Sequence, residues 1–455
     1  MVLELLFLGA FLFYFFRVSE KRILYLIFFL LPIHGTIKYL VFKDGGEIFA
    51  VWKELGILAL FFRTLNVKNY AYTEALKIFV FFSIFILVYT IIGIDNDYRI
   101  AGTFKKLFFP FFLTISVSKI RFTSSDIKMF FLIILLGSLL INITGVVDFV
   151  SPTIRYSFRN ILGASFEEAS DGTLYYDNSS FQIMGYDRVS GLITGGPNQM
   201  GIFNSAIVIL GLFCWVNKAN FKFSALQLWT LLICLGVSTF CLLTSFSRAG
   251  WAILLITFLY VLIVDERFRS FGLKYVLIAL FFVTAIIFSV PKFYFIIEST
   301  LSGKEASASA RGDMTLDALE YLFENPQGKG LGATDYAHTH FNTGLYFAES
   351  SLINFGIELG IFGLLLLLIL KFRIGFLIRK NIGRNAFATI GFGFLLAYII
   401  TSAVSVNTYE NPFVYYAWMI FGLSLNTQVF NKMRSRRLIK KNNHNNEDIY
   451  YSRNI

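Results

Sequence analysis

Long, nearly unbroken apolar runs separated by short polar breaks dominate this chain, and the length of each run is the first clue to its structure. Read in order they mark candidate spans at 2–16, 23–41, 47–62, 76–94, 104–117, 128–150, 198–217, 224–244, 249–264, 272–291, 348–370, 386–406 and 413–430. About 20 residues of helix cross about 30 Å of hydrocarbon, so most of these runs are long enough, while 2–16 and 104–117 are short. The runs are continuous and lack the period-two alternation of a lipid-facing barrel strand. Helices, which satisfy their backbone groups internally, are therefore the form expected inside lipid. The predicted fold class is all-α: a polytopic integral membrane protein of about 12–13 transmembrane helices with two large extracytoplasmic loops.

Composition agrees. Of 455 residues, 56% are hydrophobic, 18% aromatic and only 15% charged, more apolar surface than a soluble core could hide. Orientation follows from the short basic breaks RVSEKR, FRTLNVK, SKIRFTSSDIK, VNKANFK, DERFRSFGLK and KFRIGFLIRKNIGR, and from the tail NKMRSRRLIKK. All fall on one side, which the charge bias of membrane proteins makes cytoplasmic. The other side receives two long polar segments, 151–197 and 292–347, and an odd span count puts the amino terminus there too. Met1 to Phe16 has neither a basic start nor a small-residue cleavage site, so it reads as a retained span. The chain thus divides into amino-terminal spans (1–150), an outer loop (151–197), central spans (198–291), a large outer loop with an amphipathic helix (292–347), carboxy-terminal spans (348–430) and a basic cytoplasmic tail (431–455). After Asn442 the tail is polar enough to read as disordered.

The formal charge of +11 lies mostly in the cytoplasmic breaks and tail, where orientation and anionic headgroups account for it. Nucleic acid is therefore not an expected partner, whereas membrane lipid is. Cys214, Cys234 and Cys241 lie within or at the edge of apolar spans and do not read as a disulfide framework.

Against this background, cations on the outer rim need a partner. Arg188 lies in DRVSGLITGGPNQMG, Arg248 in SFSRAGW and Arg311 in SARGDMTLDALEYLFENPQGKGLG. A diphosphate suits them, because a guanidinium fork matches phosphate oxygens bidentately. GGPN, with Asn198, is a turn opening a helix whose free N–H groups could hold an anion; an ordinary loop-to-helix junction is the plainer alternative. Arg248 could instead snorkel to lipid phosphate, though Ser245, Ser247, Ala249 and Gly250 suggest a tightly packed corner. Arg311 is expected in the first turn of a surface helix beginning near Ala308, where a cation opposes the helix dipole unless an anion offsets it. Pairing with Asp313 or Asp317 is the alternative.

Other groups complete the inventory. GKGLG lacks the spacing of a phosphate-binding loop and reads as a turn. His338 and His340 have no evident third ligand and read as substrate contacts, not as a metal site. Glu349, at the outer end of a span, could pair with an arginine or act as a base toward a sugar hydroxyl. Glu358, nine residues on, faces the opposite side of the helix. Asp95–Asn96–Asp97 is a D-x-D that reads as a loop. Arg99, Lys105 and Lys106 add positive charge outside and could line the same anionic lipid site. No metal and no cofactor are expected.

The ordered set R-V-S-G-x-x-T-G-G-P-N, S-F-S-R-A-G-W, R-x-x-M-x-x-x-A-L-E-x-x-x-E-N-P-x-G-x-G-L-G and E-S-S-L-x-x-x-x-I-E-L-G-I-F-G, running from Arg188 to Gly363, resembles the O-antigen polymerase and ligase superfamily. The resemblance implies a metal-independent, membrane-embedded glycosyltransferase of GT-C-like, multi-helix type acting on undecaprenyl-diphosphate-linked glycans at the outer face of the bacterial inner membrane. Ligases of this kind carry a histidine where this chain has Glu349, which favours a Wzy-like polymerase of lipid-linked repeat units. A chain-length regulator and a flippase are the implied companions. Transfer onto lipid A core, and transport of a lipid-linked oligosaccharide, are the competing expectations.

Overall fold

The computed structural model describes residues 2–42, 49–65, 72–93, 99–161, 166–168, 174–176, 181–183, 186–266, 268–269, 306–334, 348–383 and 385–426. The expected span at 272–291, His338, His340, Asp95–Asn96–Asp97 and the tail lie outside these residues. What is described is a helical bundle. Its helices are α1 (Val2–Arg17), α2 (Glu20–Leu30), α3 (His34–Phe42), α4 (Trp52–Thr64), α5 (Tyr72–Ile92), α6 (Arg99–Lys119), α7 (Ser124–Val150), α8 (Pro152–Ile161), α9 (Gly196–Val216), α10 (Lys218–Phe221), α11 (Ala225–Thr244), α12 (Arg248–Val264), α13 (Ala306–Glu324), α14 (Ser351–Asn381), α15 (Ala388–Ser402) and α16 (Phe413–Leu425). Two small antiparallel hairpins, β1 (Phe166–Glu168) with β2 (Leu174–Tyr176) and β3 (Gln182–Ile183) with β4 (Tyr186–Asp187), decorate the loop 151–197.

Among the described residues, six helical stretches are long and apolar enough to cross a membrane, and shorter apolar helices accompany them. The protein is a multi-pass membrane protein. Helix starts follow local chemistry. Thr123 and Asp126 cap α7 reciprocally, Ser224 and Gln227 do the same for α11, and Ser247 and Ser350 accept from Gly250 N and Ile353 N at the starts of α12 and α14. Several boundaries differ from the sequence reading, and the run read as a short span at 104–117 is the 21-residue helix α6. The run 23–41 is interrupted by a 3-10 turn at Leu31–Ile33 that contains Pro32, a residue unable to donate to the helical ladder. The span read as 348–370 continues as helix to Asn381, because Arg379 and Lys380 fall in its last turn, where cations favour the helix dipole and their stems lie along apolar surface.

α9 and α16 form the centre: every residue of α16 is buried, while α11 exposes Leu226, Trp229 and Ile233 to the surroundings. The basic breaks meet at one end of the bundle. Lys21 pairs with Asp126 at 2.5 Å, Arg63 donates to the carbonyls of Phe15, Phe16 and Val18, Asn426 Nδ2 donates to Val117 O and Ile120 O, and Asn385 Nδ2 donates to Leu423 O, Ser424 O and Asn426 O. The motif residues gather at the opposite end.

Three of the helices that reach that end are short. α12, α15 and α16 have 17, 15 and 13 residues. At 1.5 Å per residue they are about 20–26 Å long, short of the about 30 Å of a bilayer core. The turn joining α15 to α16 meets α6 at Lys106, about 10 Å of helix below that helix's start at Arg99.

Candidate functional site

The site grows from the loop that carries Arg188. Asp148, fully buried at the end of α7, accepts from Ser190 N and Gly191 N at 2.8 Å each and from Arg155 Nε at 3.0 Å. Arg155 and Arg159 of α8 reach Asp187 at 2.5 and 3.3 Å, and Arg159 Nη2 donates to Arg188 O at 3.2 Å. Burying this many charges is tolerable only because each has a partner. The outcome is a fixed backbone on either side of Arg188.

The Arg188 side chain is itself buried. Its Nε donates to Ser245 O at 2.9 Å and its Nη2 donates to Asn198 Oδ1 at 2.6 Å. Val189 N donates to Thr244 O at 3.1 Å, and Ser247 Oγ donates to Asn198 O at 3.2 Å. RVSG, GGPN and SFSRAGW, distant in sequence, are therefore one interlocked corner. Close helix crossing makes it possible: a Cβ on Gly250 of α12 would lie 2.6 Å from the backbone carbonyl of Gly201 of α9. Phe246, at φ 50°, occupies the left-handed region in the tight turn before α12. Such backbone strain persists only where the surroundings overdetermine it.

Arg248 is the first residue of α12 and is half-buried. Arg311 lies in α13, which starts at Ala306, so it falls in the second helical turn and not the first; its side chain is outside the described residues. α13 docks on α14 through a buried cluster of Ala318, Leu322, Ala348 and Ile357. Glu349 is half-buried and precedes the cap residue Ser350, so it sits just outside the helix that the sequence pattern placed it in. Behind it, Ser350 Oγ donates to Ser402 O at 3.4 Å and Ser351 Oγ donates to Ser405 O at 2.7 Å, tying the start of α14 to the α15–α16 turn.

Glu358 has a structural role. Its carboxylate accepts from Thr334 Oγ1 at 2.8 Å, Thr334 N at 3.3 Å and Thr103 Oγ1 at 3.4 Å. Beside it α14 breaks at Gly360, at φ 69°, and the freed carbonyls of Ile357 and Glu358 accept from Lys329 N and Gly330 N at 2.8 and 3.0 Å. The GKGLG segment spends these N–H groups on a broken helix, in keeping with its reading as a turn.

The amino-terminal half also reaches this rim. Thr36 Oγ1 donates to Leu192 O at 2.7 Å, and Gly35 lies against the Thr194 side chain, where a Cβ would not fit. Next to them is a buried polar cluster: Trp52 Nε1 donates to His34 Nδ1 at 3.0 Å, Lys53 pairs with Glu54 at 3.1 Å, and Tyr415 OH donates to Glu54 Oε1 at 3.2 Å. Lys105 is half-buried, and Lys106 pairs with Glu410 at 2.6 Å. Sequence reasoning missed Glu410 and the structural roles of Asp148 and Arg159. Glu410 had one available signal, a carboxylate in an outer turn between two apolar spans. Among the described residues no group of His, Cys, Asp and Glu side chains gathers as metal ligands.

The sequence profile of the O-antigen ligase family matches residues 231–368, which include Arg248, Arg311, Glu349 and the broken helix at Gly360 but not Arg188 or Asn198. No curated protein matches the chain at a significant level. The profile match covers the SFSRAGW turn and the α13–α14 junction, and over residues 231–368 the chain is similar to the O-antigen ligase family.

Proposed function

We propose that this protein is a metal-independent glycosyltransferase of the bacterial inner membrane that joins undecaprenyl-diphosphate-linked repeat units into O-antigen or a capsular or exopolysaccharide at the outer face. The family match supports a glycosyl-transferring enzyme. The single observation that carries the reading is the corner in which Arg188, Asn198 and the SFSRAGW turn interlock at the end of the bundle away from the basic breaks.

The chemistry follows from charge. As the acceptor hydroxyl attacks the anomeric carbon, the diphosphate departs with added negative charge. A guanidinium at about 4 Å interacts with a unit charge by roughly 4 kcal/mol at an effective dielectric near 20, before desolvation is subtracted. Fixed donors aimed at that developing charge lower the barrier. Arg188 already commits donors to Ser245 and Asn198, so it holds the corner as well as facing the ligand; Arg248 and Arg311 supply the other cations, with His338, His340 and Lys105 as further substrate contacts. Glu349 is the carboxylate that the motif suggests for orienting the acceptor hydroxyl.

Similarity to the O-antigen ligase family favours one second reading, ligation of the glycan to another acceptor, for which lipid A core is the candidate. Purified protein in vesicles, supplied with lipid-linked repeat units, separates the readings. Longer glycan on the lipid is expected. Glycan on a different acceptor establishes a ligase, and movement across the vesicle without new bonds establishes a transporter; either result overturns the polymerase. Co-purification with a chain-length regulator or a flippase is a further expectation.

A further inference from the structure

We propose that the α15–α16 turn is the acceptor-sugar subsite and that Glu410, held by Lys106, accepts the proton of the attacking hydroxyl. The inference rests on the glycosyltransferase reading above. Glu410 lies in a turn whose geometry is fixed from several sides. Ser351 Oγ is 3.0 Å from Thr408 Oγ1, Gln199 Nε2 donates to Glu410 O at 3.1 Å, and Val414 N donates to the same carbonyl at 3.1 Å. One carboxylate oxygen, Oε1, is held by Lys106 at 2.6 Å, whereas Oε2 has no partner among the described residues. The side chain is 40% exposed, so a ligand can reach it.

The neighbours of this carboxylate point to the class of ligand. Gln199, fully buried, follows directly on Asn198, the residue that receives Arg188. Because its amide nitrogen donates to Glu410 O, its oxygen faces elsewhere, and that oxygen has no donor among the described residues; Asn411 Oδ1 is in the same condition. A buried acceptor without a donor is costly, so a built site of this kind awaits donors. Glu410 Oε2, on the exposed side chain, is the acceptor that a sugar hydroxyl can reach, and Gln199 Oε1 and Asn411 Oδ1 are buried acceptors on the residues bonded to it and next to it. Through Asn198 and Gln199, successive residues of α9, this turn adjoins the arginine corner.

The step balances. The acceptor oxygen bonds to the anomeric carbon while the bond from that carbon to the diphosphate oxygen breaks; the diphosphate takes the electron pair, and the hydroxyl proton passes to Glu410 Oε2. Lys106 orients the carboxylate. It is a positioning residue, and Glu410 is the catalytic one.

The test uses the full-length protein in vesicles with lipid-linked glycan extracted from source-cell membranes, and undecaprenyl diphosphate as the binding probe. Glu410→Gln should lower kcat for chain extension by about 100-fold or more, in the range general-base removal produces, and abolish the acidic limb of the rate–pH profile. Binding of undecaprenyl diphosphate should match wild type, and Glu410→Asp should recover part of the rate. Glu349→Gln should keep the acidic limb. Extension by Glu410→Gln at the wild-type rate overturns the proposal, as does loss of the acidic limb in Glu349→Gln instead. Loss of undecaprenyl diphosphate binding in both Glu410 variants also overturns it, because it marks a structural residue. If wild-type protein makes no longer glycan, the polymerase reading falls and this inference with it.

Discussion

Arg188→Lys keeps the charge and changes the geometry, which makes it the sharpest perturbation of the corner. Arg188 uses separate nitrogens for Ser245 O, at 2.9 Å, and Asn198 Oδ1, at 2.6 Å, in a buried setting. A lysine ends in a single nitrogen and cannot reproduce a planar fork, so at least one of these acceptors loses its donor. A buried group left unsatisfied costs about 1–3 kcal/mol, and a hydrogen bond from a charged donor contributes about 1.5–3 kcal/mol. At about 1.4 kcal/mol per factor of ten, the corner should loosen about 10- to 150-fold. The decisive assay is a double-mutant cycle of Arg188→Lys and Asn198→Ala, read both as chain-extension rate and as melting of the purified protein. Partners in direct contact should couple, so the double variant should lose much less than the sum of the single losses. Strict additivity, or a single Arg188→Lys with wild-type melting and wild-type polymer, would refute the reasoning.

Other outcomes are equally checkable. Arg248→Lys should lose most chain extension at a normal protein level, since a point cation does not replace the guanidinium fork; wild-type polymer length in that variant removes Arg248 from the site. Gly250→Ala places a methyl 2.6 Å from the Gly201 carbonyl, and the overpacking should cost about 1–3 kcal/mol, measured as a lower melting temperature, with activity falling as the α9–α12 crossing opens. An unchanged melting temperature contradicts that crossing. Lys371, fully buried between the rings of Tyr398 and Tyr409 at 5.0 and 4.9 Å, has no hydrogen-bond partner among the described residues. Lys371→Met should therefore leave stability unchanged or raise it, and a lowered melting temperature counts against that account.

Much of the architecture was legible in the chain. An apolar run in lipid has little choice but helix, because no water is present to satisfy its backbone, and basic residues near its ends orient it. Hence the described spans coincide with helices, the basic breaks meet at one end, and the residue types of SFSRAGW and GGPN announced tight corners. Local signals failed where a tertiary contact intervened. Glu349 fell outside its helix because Ser350 caps it, and α14 broke where Gly360 receives the 326–330 loop.

Only the tertiary structure decided which motifs touch. Arg188 reaches Ser245, Asp148 holds Ser190 and Gly191, and Lys106 meets Glu410, each across a long stretch of chain. Periodicity reports which face of a helix is apolar but not which helix will cover it. That choice depends on how closely backbones approach, here set by Gly201 against Gly250, and on where the short helices α15 and α16 end.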